Sequence, residues 1–352
     1  MNIHIESIKR LSELKIPHRN WLEALNQVYA LLLTVSPGEV VCITGPSRAG
    51  KTRLIDELEA LLVGDNVASG TGVMPVVRTI AVNSGRHGTF STKSFAKGLL
   101  KAVEHPIYAA QDIAAIAKLD KLSEDTLRQA FEKAAKARGV KYLFIDEAQH
   151  ARYVGKDAQG AYAVMDSWKC MAQVSGIILI VVGAYPILEI IRKSPHMVGR
   201  KYQVNLGRYQ LNQEDLIEFK SILNHYGSEI GCLDILFENL ELLYKGSLGC
   251  IGLVRSWLLR AAALSSVRKV NFSYDVLIET KPSDDDLISL ASEIENGELL
   301  LNSPIFDDQL EEEVTEIELD KKPKAKPKSK AKPFNRKAER ISTNARLETD
   351  HD

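Results

Sequence analysis

The sequence predicts an α/β fold: a parallel sheet between helices, followed by an all-helical lid and a charged tail. Three observations lead there. Short apolar runs alternate with amphipathic helical stretches as far as residue 211, strand-like runs then stop, and from Pro282 onward the charges segregate into blocks. Alternation of strands and helices calls for crossover connections, and hence for a parallel sheet with helices on both faces. The expected organisation is an N-terminal helical arm over residues 1–37, an α/β core over 38–211, a helical lid over 212–281 and a disordered tail over 282–352.

Taken in order, residues 5–14 have helical spacing, and Ile16-Pro17-His18 interrupts them. Asn20 is the expected cap of a second helix over 21–34. Pro37-Gly38 then turns the chain into an apolar strand, residues 40–44. Next comes Gly45-Pro46-Ser47-Arg48-Ala49-Gly50-Lys51-Thr52, which satisfies G-x-x-x-x-G-K-[ST] and runs into an amphipathic helix over 53–62. Strand, loop and helix together are the context that marks a phosphate-binding loop. Its glycines let backbone N–H groups converge on phosphate at a helix N-terminus. Lys51 is expected on the outer phosphates and the Thr52 hydroxyl on magnesium.

A second strand is expected over 76–82. A polar, basic stretch over 83–93 follows, leading into a helix over 94–103. Ser123 and Asp125 are candidate caps for a helix over 126–138, which Gly139 ends. Tyr142-Leu143-Phe144-Ile145 then reads as a buried strand ending in Asp146-Glu147. Ligands of parallel sheets lie beyond the carboxyl ends of the strands, so both acids arrive where the phosphate loop begins. Asp146 is expected to hold magnesium, directly or through water, and Glu147 to orient and polarise an attacking water. A helix over 161–172, a fourth strand over 177–182 closed by Gly183-Ala184-Tyr185-Pro186, a helix over 187–193 and a strand over 202–206 complete the alternation. Beyond Asn212, residues 214–226, 233–243 and 252–267 all read as helices.

Composition sets the class. The 352 residues are 45% hydrophobic and 26% charged, as in an ordinary globular protein. The first ten residues lack the apolar stretch of a signal peptide, and the longest apolar run, 177–191, is broken by Gly183, Pro186 and Glu189. A cytoplasmic protein without membrane contact is expected. Cys42, Cys170, Cys232 and Cys250 lie far apart with no C-x-x-C pair, which points to buried free thiols. The net charge of −1 conceals a basic body, with 34 basic against 28 acidic side chains in residues 1–281. Residues 282–320 then carry fourteen acids and no base, and residues 321–340 carry ten bases against Glu339. A basic body is compatible with nucleic acid, and a tail of segregated charge with few aromatics is expected to be disordered.

The phosphate loop, Leu143-Phe144-Ile145-Asp146-Glu147-Ala148, the strand ending at Gly183, Tyr209-Gln210-Leu211-Asn212-Gln213-Glu214-Asp215-Leu216 and Gly249-Cys250-Ile251-Gly252-Leu253-Val254-Arg255 together resemble an AAA+ ATPase. The resemblance is closest to the TnsC/TniB-type regulators of DNA transposition, in the form associated with CRISPR-guided transposons. It spans roughly residues 20–280. It implies ATP and Mg2+ bound at subunit interfaces of a homo-oligomeric ring or filament around double-stranded DNA, read with little sequence preference. It also implies a transposase and a target-selection protein as partners. Arg200 occupies the position of the arginine that completes a neighbour's site, where a planar cation stabilises charge on the transferred phosphoryl group. By the same resemblance the DNA-facing residues are Arg86, Thr92, Lys93, Lys118, Lys121 and Ser123. The chain departs from the pattern twice. Ala184, with Tyr185 beside it, stands where a polar residue senses the terminal phosphate; Leu253 stands where the lid arginine belongs, leaving Arg255 as the candidate within a turn. Both departures suit slow ATP hydrolysis.

Two other readings share these residues. One is a replication-initiator-like or clamp-loader-like ATPase; such proteins usually carry a winged helix after the lid, whereas the residues after Lys281 have the composition of a tail. The other is a nucleotide-gated DNA scaffold with little hydrolysis. A small-molecule kinase fits poorly, since Glu147 beside the magnesium carboxylate suits activation of water. Short apolar patches at Leu299-Leu300-Leu301 and Ile305-Phe306 are candidate docking points for the transposase.

Overall fold

Five short apolar strands build one parallel sheet in the order β2-β3-β4-β1-β5. They are β1 (Val40–Thr44), β2 (Val76–Ile80), β3 (Tyr142–Asp146), β4 (Ile178–Gly183) and β5 (Lys201–Asn205). The computed structural model describes residues 5–64, 72–83, 88–109, 117, 121–154, 158–193 and 200–302, all within one compact unit. The three central strands are almost wholly buried, as expected of a sheet covered on both faces.

Strand alternation sorts the side chains into two layers. Val40, Cys42, Leu143, Ile145, Leu179 and Val181 face one core, with Phe95, Leu99, Phe131 and Trp168. These come from α4 (Thr92–Ala102), α6 (Glu124–Ala137) and α7 (Ala158–Ser175). The short helix α5 (Pro106–Ala109) lies between α4 and α6 in the chain. Val41, Ile43, Phe144, Ile180 and Val182 face the opposite core, built with α2 (Arg19–Leu32) and α3 (Lys51–Val63). The helix α8 (Ile187–Lys193) follows β4.

After β5 the chain is helical: α9 (Gln213–Ile230), α10 (Leu233–Glu238), α11 (Leu240–Lys245), α12 (Ile251–Arg268) and α13 (Tyr274–Thr280). The predicted 233–243 helix is thus two short ones, interrupted at Asn239. The arm helix α1 (Ile5–Glu13) packs its Leu11 into this lid, beside Phe219, Tyr226 and Trp257. Trp257 is fully buried and its indole N–H donates to the Leu277 carbonyl at 2.9 Å.

The helix caps follow the sequence in part. Ser91, Ser123 and Asn212 cap α4, α6 and α9 through their side chains. Asn20 does not cap α2, whose N-cap is His18; the Asn20 amide instead reaches the carbonyls of Gly207 and Arg208. His18 Nδ1 lies 3.0 Å from the Tyr209 hydroxyl, and Arg19 pairs with Asp215, so the arm is pinned to the junction between core and lid.

Two sequence expectations are corrected. The tail expected to be disordered from residue 282 opens with a nineteen-residue helix, α14 (Asp284–Asn302). Its Ile294 is buried with Tyr185, Leu188 and Cys250, and Leu290, Leu300 and Leu301 pack around them. This apolar face is what the composition of the acidic block concealed. Leu300 and Leu301 are therefore engaged within the chain, while Leu299 is exposed; Ile305, Phe306 and the Lys-Pro-rich stretch lie outside the described residues. The second correction is Cys170, which is exposed, whereas Cys42, Cys232 and Cys250 are buried as expected. Among the described residues, no helix is long and apolar enough to cross a membrane.

Two predictions test this packing. Trp257→Ala removes the largest side chain of the lid core and its hydrogen bond, and should lower unfolding free energy by about 3–5 kcal/mol, read by denaturant titration. Burial pushes the His18 imidazole down to about 4, so the folded protein keeps it neutral while the unfolded chain takes up a proton below the ordinary histidine pKa of 6.5. Stability should fall as pH drops from 6.5 towards 4, by about 2 kcal/mol between pH 7 and pH 5. His18→Asn should remove that part of the slope when unfolding is compared at the two pH values.

Candidate nucleotide site

β1 ends at Thr44 and the chain turns at once into the loop 45–52, whose last two residues open α3. Arg48 and Gly50 adopt positive φ, at 67° and 105°, which curls the backbone around a concave face. The loop is held from two sides by close backbone approach. A Cβ on Gly45 would stand 2.3 Å from the Leu206 carbonyl oxygen, and one on Gly252, in the first turn of α12, would stand 2.2 Å from that of Arg48. Only glycine fits either place, so the connection after β5 and the lid helix both press on the loop.

The loop opens on a cleft of about 1140 Å³, lined by Ser47 to Thr52, Asp146, Glu147 and Ala184 from the core. Ile16, Pro17, His18 and Trp21 contribute from the arm, and Tyr226, Ile251 and Arg255 from the lid. No residue of the arm is among those expected at the site from the sequence. No local motif in residues 16–21 indicates that this apolar and aromatic stretch folds back over it.

Lys51 Nζ donates to the Gly45 and Pro46 carbonyls at 2.9 and 2.8 Å. Burial pulls its pKa below the ordinary lysine value, against the attraction of Glu293, Glu147 and Asp146. Asp146 is buried at the end of β3; one carboxylate oxygen accepts the Glu147 N–H at 2.9 Å and the other an Arg78 N–H at 2.8 Å. Arg78, on β2, also donates to Asp56 at 2.7 Å and lies 3.9 Å from Glu59. Burial works against the Arg78 charge, but its hydrogen bonds to Asp146 and Asp56 outweigh that and raise its pKa. Arg78 was not singled out in the sequence, because the strand register that sets Ile80 level with Asp146 is invisible there.

Glu147 is exposed at the mouth of the cleft, in a positive-φ conformation of 54°. Its carboxylate accepts from Gln149 Nε2 at 2.5 Å, while Gln149 Oε1 accepts the Ala184 N–H at 3.1 Å. Gln149 therefore bridges the acid to the end of β4, where the sequence offers no polar side chain. Tyr185, the expected substitute, is buried against Gly297 of α14, away from the cleft. Arg255 lines the cleft, yet its guanidinium donates to the Ser12 carbonyl, and Arg53 donates to that of Leu14 at 2.9 Å. Burial and the neighbouring Arg53 lower the Arg255 pKa. The lid and the first core helix thus hold the arm by its carbonyls.

Thr52 and Asp146 meet in one cleft, a hydroxyl and a buried carboxylate beside a loop of backbone donors. That donor set fits Mg2+, which binds through one or two protein ligands plus phosphate oxygens. Among the described residues no group of three or more His, Cys, Asp or Glu forms a closed metal cage.

Arg200 lies elsewhere. Its carbonyl accepts the Val40 N–H at 2.9 Å, at the entry ends of β5 and β1, whereas the phosphate loop leaves from the exit end of β1. One strand length, roughly 15 Å, separates it from its own chain's loop. Of the residues expected to face DNA, Arg86 and Lys118 lie outside the described residues. Thr92 Oγ1 donates to Glu124 at 2.5 Å, which sets the N-termini of α4 and α6 side by side. Lys93, half-buried, follows Thr92 in the first turn of α4, and exposed Lys121 and Ser123 lead into α6, so the four lie at or just before these adjacent helix N-termini.

One contact had no counterpart in the sequence reading. Glu293 of α14 reaches the phosphate loop: Oε1 accepts the Ser47 N–H at 2.8 Å and Oε2 the Ser47 hydroxyl at 2.9 Å.

Comparison with known proteins agrees with this architecture. No curated protein matches the sequence. Among solved structures, the ORC2 protein of Aeropyrum pernix, in its ADPNP–ADP complexes, is 15% identical, with 88% of each chain covered and a TM-score of 0.50. Drosophila ORC bound to DNA is 10% identical over 90% of this chain and 83% of that one, with a TM-score of 0.48. A Walker-type ATPase of Pyrococcus abyssi is 15% identical over 84% and 76%, also with a TM-score of 0.48. Residues 35–191 match the family described as AAA domain. Sheet, phosphate loop, paired acids and helical C-terminal part thus give this chain the AAA+ phosphate-loop fold, with residues 35–191 similar to the AAA domain family.

Proposed function

We propose that this protein is an ATP-dependent, oligomeric DNA-binding ATPase that regulates DNA transposition. It assembles on target duplex, links a target-selection protein to the transposase, and uses slow ATP hydrolysis to control disassembly. The observation that carries the reading is the division of the catalytic groups. Lys51, Thr52, Asp146 and Glu147 gather at the exit ends of the strands, while Arg200 stands exposed at the entry ends. An arginine in that position serves a neighbour's nucleotide, so the reactive site is complete only between subunits.

Within each site Lys51 swings from the Gly45 and Pro46 carbonyls to the outer phosphates. Thr52 and Asp146 would hold a bound Mg2+, which would supply neutralisation of charge on the phosphate oxygens. Glu147 orients and polarises the attacking water, and its hydrogen bond to Gln149 ties its position to the end of β4. The neighbour's Arg200 stabilises charge on the transferred phosphoryl group. The paired N-termini of α4 and α6, with Lys93 and Lys121, suit phosphate oxygens of a duplex tracked without reading bases.

Transposition itself rests on the family resemblance of the loop, the strand ends and the Gly249 to Arg255 segment. A second reading, the nucleotide-gated scaffold, draws on Ala184 at the end of β4 and on Arg255 being engaged with the arm. Comparing ATP turnover of the native protein with Glu147→Gln separates the two: equal rates favour the scaffold.

Two experiments test the main reading. Lys51→Ala and Arg200→Ala should each lose ATPase activity by a factor of roughly 10²–10³. Mixing them with duplex DNA should restore part of it, since Lys51→Ala subunits lend Arg200 to their neighbours; no recovery at any mixing ratio would argue against a shared site. A Lys93→Ala/Lys121→Ala variant should bind duplex more weakly in the presence of ATP and with a shallower salt dependence. Undiminished binding across several salt concentrations would sink this DNA surface.

A further inference from the structure

Helix α14 brings an anion to a loop built for anions. The Glu293 carboxylate takes one backbone N–H and one hydroxyl of Ser47, the kind of donor pair that a phosphate oxygen would use. Lys51 meanwhile spends its donors on two carbonyls of the same loop. Ser47 and Lys51 are thus engaged from within the chain, and a triphosphate approaching the loop meets a carboxylate of like charge.

Two anchors hold the helix there. Glu298 forms a bidentate pair with Arg208, at 2.8 and 3.0 Å, and also accepts from Gln210 at 3.0 Å. At the residue just before it, Gly297 lies flat on the Tyr185 ring, where a Cβ would stand 2.1 Å from the ring carbon Cγ. The anchoring residues of the core, Tyr185 and Arg208, immediately follow β4 and β5, next to the loop but outside it.

We propose that α14 is an autoinhibitory arm that competes with the nucleotide. Glu293 occupies the Ser47 side of the phosphate loop, Glu298 and Gly297 latch the helix in place, and a bound nucleoside triphosphate expels Glu293 from the loop. The proposal rests on the nucleotide reading of the cleft. Its physical content is a population tax: apparent affinity is the intrinsic affinity reduced by the fraction of molecules whose helix is undocked.

The test uses the full chain and a fluorescent, slowly hydrolysed ATP analogue with Mg2+. Glu293→Ala should tighten binding roughly tenfold, the scale of one charge-assisted hydrogen bond. Glu298→Ala, which leaves the loop's own contact intact and only loosens the latch, should tighten it by a smaller factor, about threefold. Hydrogen exchange over residues 284–302 of the native chain should accelerate when the analogue is added. Unchanged or weaker binding by Glu293→Ala, or exchange that does not respond to nucleotide, overturns the proposal while leaving nucleotide binding in place. Failure of the native chain and both variants to bind the analogue overturns the nucleotide reading and the proposal together. If Glu298→Ala does not fold, Glu293→Ala and the exchange measurement still decide.

Discussion

The structure depends on how closely backbone can approach backbone around the phosphate loop. Gly45 lies under the Leu206 carbonyl and Gly252 under that of Arg48, with no room for a side chain at either. The first contact fixes the loop against the segment leaving the sheet; the second fixes the lid against the loop. Sheet, loop and lid are therefore registered to one another by main-chain atoms, which have no rotamers to relax. The arm is added less rigidly, through guanidinium groups on carbonyls at Ser12 and Leu14 and through the pairing of Arg19 with Asp215.

The elements that repeat a simple period were legible in the sequence, and those that depend on a distant partner were not. The strands around Val41, Phe144 and Ile180 announce themselves as apolar runs, and the loop from Gly45 to Thr52 by its spacing. Ser91, Ser123 and Asn212 sit before helices they cap, although only Ser123 was identified. Asn20 looked like a cap and is used to tie Gly207 and Arg208, a role fixed by residues almost two hundred positions away. The helix from Asp284 was hidden because it opens an acidic block, residues 282–320, with no Lys or Arg, although Ile294, Leu290 and Leu301 recur at helical spacing on its packed side.

The same limit applies to the site. Lys51, Thr52, Asp146 and Glu147 were readable because their chemistry is local to two motifs. Arg78, Gln149 and Glu293 were not, since each acts through a partner set by topology: β2 beside β3, the turn after β3 beside β4, and α14 across the loop. What seemed a gap at position 184 is partly answered by this, since Gln149 contacts the end of β4; the one at 253 stays open, because the lid arginine at 255 is employed in holding the arm.

Arg78 illustrates how such a partner constrains a protein beyond its present state. One guanidinium faces Asp146, Asp56 and Glu59, and Asp146 is almost without solvent. Removing the arginine alone takes the ion-pair partner from a buried carboxylate whose remaining hydrogen bond is the Glu147 N–H, whereas neutralising Asp146 alone leaves the half-buried cation with Asp56 and Glu59; the first is the costlier loss. The effects of substitution at positions 78 and 146 are therefore coupled, so that a change at one sets what the other tolerates.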